Sequence, residues 1–203
     1  DGTMIKYEDR ILRMYLNMTT LYKKITVPDF EVIRLELLEI VAPQLSQNLK
    51  FWDLPFSEFY KSCPTFYNYM VENLYGFPKL FRFYNIPPGG ELEPHIDNHA
   101  NAKNKIAFNI PLLGTKNTTT DYYDTPDDNI ESVSAGGFGS LPILVIKDRS
   151  RLVLIDSLEL DQPTLVRTDR IHSVTNPNET SRLVLSMKLL GNKFEQVYKG
   201  KLD

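Results

Sequence analysis

The hydrophobic pattern changes period near residue 79, and that switch narrows the folds open to this chain. After it come eight short segments, 79–86, 105–113, 118–123, 141–147, 151–156, 164–167, 171–174 and 182–190, rich in β-branched and aromatic residues. Turn chemistry separates them at Pro87–Pro88–Gly89–Gly90, Gly136–Gly137 and Asn176–Pro177–Asn178. Short strands in such number, with no helical stretch between them, point to a closed or double-sheet antiparallel β fold.

Before the switch the period is helical. Asp29 can cap a helix with its carboxylate. Ile33, Leu37, Ile40 and Val41 follow on one face, and Pro43 should stop the run. A second helix is expected to carry Phe66, Tyr69, Met70 and Leu74 as a core stripe. The expected organisation is one domain over residues 1–203. Residues 1–78 form a mainly helical support packed on one outer face, 79–190 a β-barrel catalytic core, and 191–203 a C-terminal tail.

A chain of 203 residues can bury roughly 70% of the surface its unfolded form exposes. It therefore needs no structural metal to fold, and a metal in it would serve chemistry. The net charge of −3 implies no strongly basic face, so nucleic acid is not an expected partner. Cys63 is the only cysteine; no internal disulfide can form, and a buried thiol is its default. No apolar run approaches the ~18–20 residues of a membrane span and no signal peptide is visible, so a cytoplasmic protein is expected.

Three residues carry the chemistry. In extended backbone, positions two apart face the same way, so His95 and Asp97 can converge on one point. His95–Ile96–Asp97 reads as following a turn and preceding a strand. His172, in a second strand, is the best third ligand. Two imidazoles and a carboxylate on one face of a divalent ion leave open positions, as in non-haem Fe(II) oxygenases. Arg182 begins an apolar strand, where an inward guanidinium needs an anionic partner. If 176–179 closes a hairpin, residues 172 and 182 face each other, and Arg182 can hold a carboxylate beside the metal. His99 reads as a nearby residue and not a ligand. The polar stretch 114–129 reads as a surface loop more than a lid, with Tyr122 and Tyr123 as residues that could line a substrate entrance.

The run Leu92–Glu93–Pro94–His95–Ile96–Asp97, with the distal His172 and with Arg182 ten residues later, resembles the Fe(II)/2-oxoglutarate-dependent dioxygenase superfamily. Residues 82–90 are similar to the strand and turn before that motif in prolyl-hydroxylase-like members. The resemblance implies an α+β, mainly β fold, with a double-stranded β-helix (jelly-roll or cupin-like) core. It implies Fe(II), 2-oxoglutarate and O2 as cofactor and cosubstrates, and hydroxylation of a C–H bond in a peptidyl residue or small molecule. It further implies that Tyr84 contacts the cosubstrate. Several members carry Ser two residues after the Arg; Val184 stands there, so that hydrogen bond is missing or comes from elsewhere, with Tyr84 and Asn109 as the candidates. Two rival readings are a cupin-like barrel with another metal and reaction, and a non-catalytic binding module.

Overall fold

The computed structural model describes residues 20–45, 49–76, 78, 81–97, 105–133 and 143–202. His99 and the Gly136–Gly137 turn lie outside them. Twelve described strands form two antiparallel six-stranded sheets. In chain order they are β1 (Tyr22–Lys24), β2 (Phe51–Asp53), β3 (Phe81–Ile86), β4 (Glu91–Ile96), β5 (Ile106–Leu113), β6 (Thr119–Asp124), β7 (Ile130–Val133), β8 (Ile143–Ile146), β9 (Val153–Glu159), β10 (Thr164–Arg167), β11 (Ile171–Thr175) and β12 (Arg182–Leu189). The first sheet runs β1-β10-β5-β12-β3-β2 and the second β7-β8-β4-β11-β6-β9.

Four nested pairings, β3 with β12, β4 with β11, β5 with β10 and β6 with β9, define the topology. They describe one long antiparallel ribbon wound into two facing sheets, which is a jelly roll, or double-stranded β-helix. The short strands β1 and β2 extend the first sheet at its edges, and the β7–β8 hairpin extends the second. The expected mainly β jelly roll is therefore the fold observed.

Three helices, α1 (Phe30–Leu45), α2 (Phe56–Ser62) and α3 (Pro64–Asn73), share a hydrophobic core with the outer face of the first sheet. Strand β12 shows the division of labour. Leu183, Leu185, Met187 and Leu189 join the helical core, while Arg182, Val184 and Ser186 on the opposite face line a cavity between the sheets. Ile33, Leu37 and Val41 of α1 and Phe66, Tyr69 and Met70 of α3 are buried there, as their spacing requires. Phe59 joins the layers, its ring centroid 5.4 Å from that of Phe66 and 4.4 Å from that of Phe81. Phe194, Val197 and Tyr198 from the C-terminal residues are buried in the same core. Cys63 is buried too, and burial pushes its thiol up to about 12. Removal of a fully buried aromatic ring typically costs about 3–5 kcal/mol. Phe66→Ala is expected to lower unfolding stability by that amount, read from the midpoint of a denaturant titration.

Several sequence expectations need correction. Helix α1 runs through Pro43 to Leu45; the proline removes only its own N–H bond to the preceding turn, and Gln44 and Leu45 continue the helix. Asp29, by contrast, stands at the N-cap where it was expected, in a left-handed backbone (φ 54°), and its carbonyl accepts from Val32 and Ile33 N–H. The motif at 95–97 lies at the end of strand β4, where the sequence showed only a turn before it. The connection 176–181 is no hairpin: β11 lies in the second sheet and β12 in the first. The strand expected at 118–123 within the polar stretch 114–129 is observed as β6, between β11 and β9 in the second sheet.

Two turns at one end of the barrel are tied together. Gly89, at φ 63°, takes the left-handed position that the turn Pro87–Gly90 demands, and Gly90 N–H donates to the Pro87 carbonyl. Asn176, fully buried, donates through Nδ2 to the carbonyls of Ile86, Pro87 and Thr180, each at 3.0 Å. It thereby sets the end of β3 against the start of β12. Asn176→Ala would strand those buried carbonyls at about 1–3 kcal/mol, and the loss should appear as a lower melting temperature.

Candidate metal centre and anion site

The ends of β4 and β11 bring the predicted ligands together. His95 and His172 are direct cross-strand partners, with ring centroids 4.6 Å apart. A β-bulge in β4 makes this possible. Two steps on β11, from His172 to Val174, match three on β4, from His95 to Leu92. Leu92 and His95, three apart, would face opposite ways in a regular strand; with the bulge both line the cavity. Pro94 sits within the irregularity, where a missing N–H is tolerated. Asp97 follows at the strand end, its N–H bonded to the Thr168 carbonyl. One ligand atom from each of His95, Asp97 and His172 lies within 4.8 Å of the others.

The hydrogen bonds prepare these groups for a cation. His95 Nδ1 lies 2.6 Å from the Glu93 carbonyl and His172 Nδ1 lies 2.9 Å from the Arg170 carbonyl. A carbonyl only accepts, so both Nδ1 atoms carry hydrogen, and in the neutral ring each Nε2 presents a lone pair. This is the arrangement that metal-binding imidazoles use. His95 Nε2 then faces Asp97 Oδ1 at 3.0 Å, lone pair to lone pair, unless a proton or a metal ion lies between them. Burial opposes charge on His95, but the Asp97 carboxylate outweighs it and raises the imidazole above its ordinary value. His172 is pushed down to about 4 by burial, against the pull of Asp97, and stays neutral. Burial also works against an ionised Asp97; Lys188 first, then the imidazoles, overcome it and hold the carboxyl well below its usual range.

Lys188 was not singled out from the sequence. It lies on the inward row of β12, and its Nζ contacts Asp97 Oδ2. The period that places Arg182 inward also places Lys188 inward, six residues on.

Arg182 lies at the other end of that row, 3% exposed. Its Nε donates to Thr118 Oγ1 at 3.1 Å, and among the described residues no carboxylate pairs with it. Burial alone pulls it down to about 10, so it remains a cation at neutral pH. It faces the same cavity as His172 from the opposite sheet, not from a neighbouring strand. Asn109 also lines the cavity, and its buried Oδ1 has no hydrogen-bond partner. Tyr84 lines it as well, beside Val184. Burial, with Asp97 adding, pushes the Tyr84 phenol up to about 12, although the Arg82 guanidinium pulls the other way. Tyr122 is fully buried in the cavity wall as the other cross-strand partner of His172. Tyr123 points outward to the Ser173 hydroxyl, so only one of the two tyrosines lines the cavity.

No family model and no curated protein matches the sequence. Similarity in fold does appear among solved structures. AviO1 from Streptomyces viridochromogenes is similar over 83% of this chain and 88% of its own, at 12% identity and a TM-score of 0.49. A Pseudomonas putida prolyl-4-hydroxylase is similar over 90% and 99%, at 10% identity and 0.46. SnoK, a non-haem α-ketoglutarate-dependent carbocyclase from nogalamycin biosynthesis, is similar over 92% and 87%, at 11% identity and 0.49.

The cavity thus offers a nitrogen–nitrogen–oxygen donor set on one face, a guanidinium with no carboxylate partner among the described residues on another wall, and an amide oxygen without a partner between the sheets. Two imidazoles and one carboxylate suit a borderline divalent ion with open positions. A buried arginine lacking a counter-ion suits a ligand that brings its own carboxylate. Among the described residues no helix is long and apolar enough to cross a membrane.

Proposed function

We propose that this protein is an Fe(II)- and 2-oxoglutarate-dependent oxygenase that hydroxylates a C–H bond of a small molecule or a peptidyl residue. The observation that carries this reading is the pairing, in one jelly-roll cavity, of the His95–Asp97–His172 cluster with the unpaired, buried Arg182. A dicarboxylic keto acid answers both: one end can chelate a metal and the far carboxylate can meet the guanidinium. His95, Asp97 and His172 would hold Fe(II), which when bound supplies the activation of O2 that oxidises the substrate. Arg182, fixed by Thr118, anchors the distal carboxylate with parallel hydrogen bonds. Asn109 and Tyr84 are the further polar groups within reach of the bound acid. Leu92, Val166, Val174 and Val184 give the cavity an apolar lining that limits water. A cupin-like barrel with a different reaction would have no use for Arg182, and a non-catalytic module would have no use for the ligand cluster.

The test is conversion of 2-oxoglutarate to succinate by purified protein supplied with Fe(II) under air. Absence of both metal uptake and keto-acid turnover would sink the reading. Calorimetry separates the rivals: metal-dependent binding of 2-oxoglutarate belongs to the oxygenase and to neither alternative.

Metal uptake should also depend on pH with a definite sign. In the metal-free protein His95 holds its proton to a higher pH than a free imidazole, and a metal ion must displace that proton. Affinity therefore falls as pH drops through the His95 range, by up to about tenfold per pH unit for one linked proton. His172 adds nothing until near pH 4. Calorimetry of Co(II) binding in buffers of different ionisation enthalpy should count close to one released proton at pH 6.

A further inference from the structure

Asp97 presents its two oxygens to different neighbours. Oδ1 lies 3.0 Å from His95 Nε2, inside the ligand cluster. Oδ2 is taken by Lys188 Nζ. The lysine side chain is only 16% exposed and arrives from the other sheet, on the inward row that also carries Arg182, Val184 and Ser186. Among the described residues Asp97 is its ion-pair partner. A largely buried ammonium held at this place does more than neutralise a charge. It fixes the plane of the carboxylate and occupies the oxygen that could otherwise swing toward a bound ion.

We infer that Lys188 is a positioning residue that restricts Asp97 to a single ligating oxygen. The inference rests on the metal-site reading above. Its chemical consequence follows from counting donors. Two imidazoles and one carboxylate oxygen leave three positions of a six-coordinate ion open. A carboxylate binding through both oxygens would take one of them and compete with the chelating keto acid. Lys188 thus guards an open position without touching substrate or cosubstrate, and the six-residue spacing of Arg182 and Lys188 lets one strand serve both ends of the cavity.

The experiment uses the full chain loaded anaerobically with Co(II), whose visible absorption reports coordination number. Lys188→Met should retain Co(II) but show an altered visible band before 2-oxoglutarate is added, and weaker 2-oxoglutarate binding by calorimetry. With Fe(II) its turnover should fall by about 10–100-fold, the usual cost of losing a contact that orients a metal ligand. Lys188→Arg, which keeps a cationic donor, should restore the wild-type band. Lys188→Ala is read in the same way as the methionine variant, so that a folding defect in one leaves the other. A Lys188→Met or Lys188→Ala protein with the wild-type band and wild-type keto-acid affinity would overturn the role of Lys188 alone. Wild-type protein that takes up no Co(II) would overturn the metal centre, and with it the role.

Discussion

Replacing Arg182 with methionine is expected to abolish useful binding of 2-oxoglutarate while making the ligand-free protein more stable. Both effects come from one fact: the guanidinium is 3% exposed and has no carboxylate beside it among the described residues. Removing one member of a buried, hydrogen-bonded charge pair costs about 2–5 kcal/mol of binding. That corresponds to a loss of about 30- to 4,000-fold in keto-acid affinity. Without the ligand, however, the same guanidinium is a desolvated charge that burial already pulls down to about 10. Well-packed apolar replacements of buried charges can stabilise proteins by about 1–4 kcal/mol. For a chain of this length that is a rise of about 2–4 °C in melting temperature per kcal/mol. A thermal-shift assay reads both effects together. Wild-type protein with metal should gain stability as 2-oxoglutarate is added; Arg182→Met should start higher and gain nothing. Arg182→Lys keeps charge but loses the planar fork, so it should fall between the two. A methionine variant that binds 2-oxoglutarate within tenfold of wild type would remove the anion site from the proposal.

Much of this site was legible in local pattern, and its arrangement was not. The inward arginine, the two-residue spacing of His95 and Asp97, and a distal strand histidine could all be read from periodicity. The strand at 164–167 and the core stripes of α1 and α3 were legible for the same reason. Strand β4 was not. Its alternation of Glu91 and Glu93 with Leu92 and Pro94 is a weak β signal, and the bulge that aims His95 breaks the period on which such reading depends. The relation of His172 to Arg182 was misread as a hairpin because ten residues around Asn–Pro–Asn fit one. In a jelly roll each strand's partner is set by the winding of the whole ribbon, so β11 meets β4 and β6, and β12 meets β3 and β5. Lys188 could have been found: the argument that an inward charge in an apolar strand needs a partner applies to it as to Arg182.

Asp97→Ala and His172→Ala should match in chemistry and differ in stability. Each removes a donor from a cluster whose ligand atoms lie within 4.8 Å. Each should therefore reduce Fe(II)-dependent succinate formation by more than the roughly 10–100-fold that loss of a supporting contact costs. Their effects on the metal-free fold diverge because their charges do. Asp97 is ionised and neutralises Lys188, whose side chain is 16% exposed, so its removal leaves a largely buried ammonium without its partner. Breaking a buried pair from one side costs about 3–5 kcal/mol. Lys188 keeps some access to water, so the lower end of that range is expected. His172 is neutral, held down to about 4, and its loss forfeits one hydrogen bond to the Arg170 carbonyl and a packing contact with Tyr122. That should cost less than the aspartate does. Denaturant unfolding of the two metal-free variants measures the difference, and succinate detection by NMR measures the shared loss. Equal destabilisation would mean that Lys188 does not depend on Asp97 in the metal-free protein, and activity within tenfold of wild type in either variant would mean that the cluster is not where oxidation occurs.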